Sequence, residues 1–200
     1  MGRHHAWVKL ASVTLAMVVV LGLAACADSG KPVSASTSPL ATYRNADYRF
    51  AITYDPRVFN AAAEMNRDEV LVGTPPQLDW SAWPVGMGSD KSDPAGLPYT
   101  VRVSAVDFVA QGLTSVDFRH ERAMLRRDAR RHGGSFDATN LGGAKGYRVE
   151  WADEASGNLY LAFRLMNGDM SYTVAVVCRL SDWMKMQGPL LAAVESFRTL

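Results

Sequence analysis

Three stretches near the end of the chain alternate apolar and polar residues with period two, and they constrain the fold more than any other feature. Tyr147, Val149 and Trp151 alternate with Arg148 and Glu150; Leu159, Leu161, Phe163 and Leu165 with Tyr160, Ala162 and Arg164. Tyr172, Val174, Val176 and Cys178 alternate with Thr173, Ala175 and Arg179. Successive side chains of a strand point to opposite faces, so each stretch predicts a strand buried on one side. Asn167-Gly168-Asp169 joins the last two, and such residues tolerate the positive φ of a tight hairpin. The late half of the chain reads as an antiparallel meander.

Earlier in the chain Tyr48, Phe50, Ile52 and Tyr54 share one phase against Arg49, Ala51 and Thr53, and a short strand is expected over 69–73. A longer strand over 99–108 sets Tyr99, Val101 and Val103 against Thr100, Arg102 and Ser104. That makes about six strands. A short helix is expected over 55–64, since Pro56 suits a first turn. A longer one over 114–132 has Thr114 and Asp117 at capping spacing, a Phe118, Leu125 and Ala129 stripe, and Gly133-Gly134 as a stop. The last helix starts near Ser181 or again at Gly188-Pro189, with Leu190, Val194 and Phe197 on one face. An antiparallel sheet sandwiched by helices, with the C-terminal helix packed on it, is an α+β fold.

The N-terminal end is of a different character. Arg3 and Lys9 precede an uncharged run of 16 residues at 10–25, which is short for a membrane span and suits a signal peptide. Leu23-Ala24-Ala25-Cys26 resembles the lipobox of bacterial lipoproteins, in which the cysteine thiol is acylated and the peptide is cut just before it. By that resemblance residues 1–25 are a lipoprotein signal peptide and lipid on Cys26 holds the protein on the outer side of the cell membrane. Secretion with cleavage after Ala25, or an uncleaved anchor, are the alternatives. Residues 26–42 are small, polar and proline-rich and read as a flexible tether, leaving 43–200 as a single domain. Without the leader the chain carries 19 basic and 20 acidic residues, so no basic excess points to nucleic acid. Cys178 is then left alone, at an apolar strand position where a thiol behaves as a small hydrophobe.

A second resemblance covers most of 43–200. The opening "YRFAITYDP" at 48–56, a middle helix, "LGGAKGYRVEW" at 141–151, two long hairpin strands and the terminal "ESFRTL" at 195–200 resemble the PsbP/Mog-like fold, which includes many small bacterial surface lipoproteins. Eukaryotic members dock on photosystem components or a small GTPase. Neither partner is implied for a bacterial lipoprotein, and the resemblance implies a docking fold without a catalytic signature.

The residues offer no reaction chemistry. His120 and His132 are the histidines beyond the leader, and 12 residues apart on a helix they diverge by about 120°. Neither a nucleophile elbow nor a His-x-x-x-His pair occurs. Gly86-x-Gly88 and Gly142-Gly143-x-x-Gly146 lack the strand, helix and lysine context of a phosphate cradle and read as turns. No metal, cofactor or catalytic residue is implied.

Three features suggest binding instead. On the 114–132 helix Arg119, Arg126, Arg127, Arg130 and Arg131 fall on an arc of about 140° opposite the Phe118 stripe, with Arg122 outside it. This is either a solvated face or a patch for anionic headgroups or acidic wall polymer. Arg49, Arg102, Arg148, Arg164 and Arg179 each take the polar phase of a different strand, so neighbouring strands would line up guanidinium groups for carboxylate or phosphate. The bland alternative pairs them with acids such as Glu150 and Asp55. Residues 73–98 hold five prolines, four glycines, Trp80 and Trp83 without periodicity, and read as a long loop whose tryptophans either plug the core or face out as anchors. Facing out, Trp80 would be lost to alanine with capture of a partner reduced and the melting temperature nearly unchanged. The expected function is a non-catalytic surface lipoprotein that binds a partner or ligand at the cell envelope. The rivals are a small-molecule carrier with an apolar pocket near Trp80 and an envelope hydrolase.

Overall fold

The late meander is the centre of the fold. The computed structural model describes residues 39–66, 77–87 and 96–200, without the side chain of Val116. The expected leader, Cys26, most of the tether, the 69–73 strand and Gly88 lie outside the described residues. In chain order the elements are β1 Ala41–Asn45, β2 Phe50–Tyr54, β3 Phe59–Asn66, β4 Gln77–Pro84, β5 Tyr99–Asp107 and α1 Ser115–Arg131. They continue with β6 Ser135–Leu141, β7 Ala144–Asp153, β8 Asn158–Asn167, β9 Met170–Arg179, α2 Leu180–Glu195 and β10 Arg198–Thr199. Among the described residues β3-β4-β5-β9-β8-β7-β6 form a seven-stranded sheet and β1-β2-β10 a small one, all antiparallel. The class is α+β, with the C-terminal helix on the sheet.

The large sheet has an inner face against α2 and the small sheet, and an outer face carrying α1. Cross-strand register puts Trp80, Val103, Val174 and Phe163 in one inner row and Ala82, Val101, Val176 and Leu161 in the next. Burying such apolar surface supplies the main favourable term of folding. Helix α2 meets this face through Met186, Leu190, Ala193 and Val194, which flank the Gly188-Pro189 pair inside the helix. The pair therefore interrupts nothing, and α2 runs through from residue 180. From the small sheet Phe50 packs on Tyr172 and Phe197, with ring centroids 6.1 and 5.9 Å apart. The Tyr172 hydroxyl donates to the carbonyls of Tyr48 (3.1 Å) and Arg49 (3.2 Å) in the turn before β2. That turn starts the strand at Phe50, two residues later than the alternation of Tyr48 with Phe50 suggests, and holds Arg49 at φ +51° beside an ion pair with Asp169.

Three expectations are corrected. The 55–64 helix is instead a turn and β3. The Asp55 carbonyl accepts from the amides of Val58 (3.0 Å) and Phe59 (2.9 Å), and its carboxyl, held down to about 2 by Arg57, closes the turn. Ala61, Ala62, Ala63 and Glu64 are good helix formers, but pairing with β4 overrides that preference. The 73–98 loop contains β4, whose residues alternate between half-buried and buried along its whole length. Trp80 thus sits in the core, 1% exposed, its ring 6.3 Å from Tyr43 and 5.7 Å from Tyr54. Finally, the expected tether loses its last two residues to β1, where the hydroxyls of Thr42 and Thr53 meet at 3.0 Å.

Glycine is required at one hairpin. Gly142-Gly143 turns β6 into β7 with φ of +58° and +90°, values that L side chains avoid. A Cβ on Gly142 would lie 2.1 Å from the Phe197 carbonyl oxygen, because β10 passes there and Thr199 donates to the Gly142 carbonyl from its amide (2.8 Å) and hydroxyl (3.0 Å).

Candidate functional site

Among the described residues, a helix covers the outer face of the large sheet at one end only. Helix α1 lies over β6 and β7. Its Phe118 ring meets Phe108 edge-on at 5.1 Å, the Arg122 guanidinium sits 4.8 Å over the Tyr147 ring, and His132 stacks on Trp151 at 6.1 Å. Tyr147, Val149 and Trp151 are therefore apolar because they lie beneath α1. The helix starts where expected: the Asp117 carboxylate accepts from the Thr114 amide (2.6 Å) and hydroxyl (2.7 Å), which lowers its pKa.

Arg164 fastens the helix to the sheet. Its Nε donates to both carboxylate oxygens of Glu121 at 3.0 Å, Nη1 donates to the hydroxyls of Ser171 (2.5 Å) and Thr173 (3.3 Å), and the guanidinium lies 5.5 Å from the centre of the Phe118 ring. With its side chain 18% exposed and its Nε and Nη1 engaged, Arg164 is a positioning residue for α1. The expectation of a free binding arginine is corrected there.

Beyond α1 no helix lies on β3, β4, β5 or β9 on this face among the described residues. Asp79, Ser81 and Trp83 of β4 take the outer phase, beside Thr100, Arg102 and Ser104 of β5 and Thr173, Ala175 and Val177 of β9. Arg102 stands between Ser81 and Ala175 in register. It is half-buried and makes no hydrogen bond or ion pair with the described residues. Two residues along the same strand face, Thr100 is 4% exposed and its hydroxyl has no partner among the described residues. Two places the other way, Ser104 donates at 2.5 Å to Asp79, which also accepts from Gln77 at 2.8 Å. Those donors engage the Asp79 carboxylate, which shares this face with Glu64, its register partner on β3. The Trp83 indole is half-buried, and its N–H donates to the Met87 carbonyl at 3.0 Å.

Of the five strand arginines, the outer face collects Arg102, Arg164 and Arg179, the last donating to the Gly96 carbonyl at 2.9 Å. Arg148 does not join them. It pairs with Phe163 in register, so it lies on the inner side, one strand in from the edge strand β6, bound to Glu150 and 3.4 Å from the Ser135 hydroxyl. Arg49 belongs to the turn of the small sheet. Alternation tells which residues of one strand share a face; only register tells which face that is.

On α1 the charges separate. Asp117 is held by Thr114 and Glu121 by Arg164, so Asp128 alone reaches outer arginines, Arg131 at 3.6 Å and Arg127 at 4.0 Å. Arg119, Arg126 and Arg130 have no ion pair among the described residues. With Ala123 between them, the arginine side chains border an open furrow of about 680 Å³.

Neither histidine ring is hydrogen-bonded to a described residue, and no three His, Cys, Asp or Glu among the described residues are grouped to hold a metal. Cys178 is fully buried, its thiol donating to the Arg179 carbonyl at 3.4 Å, and burial pushes its pKa up to about 11. The Trp80 ring, near which a carrier would need its pocket, packs against the Tyr43 and Tyr54 rings.

No family model matches the chain, and no curated protein matches it. Among solved structures it is similar to cyanobacterial PsbP (CyanoP) from Synechocystis sp. PCC 6803, at 11% identity over 86% of this chain and 99% of that one, with a TM-score of 0.49. It is also similar to a Bacteroides thetaiotaomicron protein at 7% identity, over 80% of this chain and 48% of that one, with a TM-score of 0.44. Neither likeness says what this chain binds.

Proposed function

We propose that the protein is a non-catalytic, lipid-anchored binding module of the bacterial cell envelope whose ligand site is the open half of the outer sheet face, centred on Arg102 and flanked by Ser81, Thr100 and Trp83. The observation that carries the site is the guanidinium of Arg102, left without a partner among the described residues while Arg164, Arg148, Arg179 and Arg49 are all engaged. A half-buried guanidinium gives up hydration that a planar carboxylate or a phosphate restores with paired hydrogen bonds. The ligand is accordingly an anionic group carried by a partner or small molecule. An indole beside it adds apolar area.

Titration with succinate and, separately, with inorganic phosphate tests the site. The Arg102 Nε–H resonance shifts with added anion while that of Arg164, already bound to Glu121, stays in place, and Arg102→Ala removes the response. An Arg102 signal unmoved by either anion sinks the assignment. The anchor has its own test, since Cys26→Ser moves the protein from the detergent phase to the aqueous phase when expressed in its native host. Unchanged partitioning refutes lipidation at that thiol.

A further inference from the structure

The arginine face of α1 lies on a different surface from the Arg102 site and stands independently of it. On a helix rising 1.5 Å per residue, Arg119, Arg126 and Arg130 make a single row, with Arg127 and Arg131 to one side and Ala123 in the middle. A folded protein ordinarily mixes both signs on an exposed helix, because pairs three and four residues apart stabilise it. Here the acids are turned elsewhere: Asp117 closes the N-terminus and Glu121 points into the sheet to hold Arg164. Asp128, the one acid left, lies on the far side of the helix from the row, beyond Arg131, and meets only Arg131 and Arg127. The result is a nearly straight, uniformly cationic ridge on the side of the helix remote from its buried Ala129.

We infer that this ridge is a docking surface for an anionic phospholipid bilayer. The match is one of charge and shape: a flat anionic surface can meet all the arginines of one helix face at once, each adding about fivefold to binding. Guanidinium groups are weakly hydrated and take phosphate oxygens in pairs, which suits phosphodiester headgroups. The contact is peripheral. No helix among the described residues is long and apolar enough to cross a membrane, and the row of Arg119, Arg126 and Arg130 carries no large apolar side chain, exposed Met124 lying beyond Arg127 and Arg131. From Cys26 to Ala41 the chain reaches at most about 50 Å, which lets an anchored domain lie down on that ridge. Attraction between exposed charges weakens beyond about 10 Å at 0.1 M salt, so docking is steeply dependent on ionic strength.

The test uses the full chain carrying Cys26→Ser, so that no acyl chain contributes, and measures partitioning onto vesicles of phosphatidylcholine alone and with one third phosphatidylglycerol. The excess binding to the anionic vesicles is the readout, since Arg3, Lys9 and the apolar leader are common to every variant. Arg126→Gln with Arg130→Gln lowers that excess about thirtyfold without moving the melting temperature, because neither side chain has a partner in the fold. Asp128→Asn raises it, and Lys185→Gln on α2 leaves it unchanged. Loss of the whole excess at high salt is expected as well. An excess that survives the double substitution, or a ridge that retains soluble polyphosphate equally well while showing no preference for phosphatidylglycerol, overturns the inference. Arg102→Ala leaves all these results intact, so failure here and failure at the sheet site are separable.

Discussion

Replacing Trp80 by alanine lowers the unfolding free energy by about 3–5 kcal/mol, the usual cost of emptying a large aromatic site in a packed core. The ring is 1% exposed and its strand is hydrogen-bonded on both sides, to β3 at Ala63 and to β5 at Val103. Tyr43 and Tyr54 lie against it from the small sheet, so the indole joins the two sheets as well as filling space. Neither partner strand can move inward, because each is fixed by its own ladder, and the vacated volume remains largely open. Urea unfolding of Trp80→Ala should show the midpoint falling with the slope preserved. Trp80→Phe, which keeps a ring, recovers most of the loss. A midpoint within experimental error of the parent would place the indole outside the core and return it to the list of candidate anchors.

Raising the pH from 9 to 12 destabilises the fold through two buried acids. Burial pushes the Tyr172 hydroxyl up to about 12 from its ordinary value of 10, and the Cys178 thiol up to about 11 from 9. Both groups are neutral in the folded state over a range where the unfolded chain has already released their protons. The unfolded state binds fewer protons there, so stability falls as pH rises: from about 9 to 11 for the thiol and from about 10 to 12 for the phenol. Each contributes about 2–3 kcal/mol over its window. Below about pH 8 neither contributes appreciable slope. Tyr172→Phe removes the upper part of the dependence, although it also gives up the hydrogen bonds to the Tyr48 and Arg49 carbonyls, and Cys178→Ala removes the lower part. Stability that stays level between pH 9 and 12 would show that neither group is held neutral.

The strands legible in the sequence are those whose side chains alternate cleanly over five or more residues. β8, β9 and β5 follow from Leu159 to Leu165, Tyr172 to Cys178 and Tyr99 to Val103, and α1 from its Thr114 cap and apolar stripe. β4 was hidden because only Leu78, Trp80 and Ala82 mark its buried side and prolines stand at both ends of the segment. β3 was hidden by three successive alanines, which say nothing about period. β1 lies at the end of a run of small residues, and the two residues of β10 are too few to show a pattern. Of the candidate site, the residue type at Arg102 was readable, but its isolation was not. Whether an arginine is free depends on Glu121 reaching Arg164 across 43 positions and on Arg148 being rotated to the other side by its register. Ser81 and Thr100 became neighbours of interest only through cross-strand pairing.

Among the described residues, the one-sided placement of α1 makes a step on the outer face of the sheet. A helix with its side chains is about 10 Å thick, so the tread of that step, where Arg102 sits, is set back by about that distance from the arginine crest. A domain resting on the crest would hold the tread parallel to the support and one helix diameter above it, a gap wide enough for an extended chain or a sugar and too narrow for a second folded domain. Whatever the tread takes up in that posture has to enter from the side, along the open edge at β3.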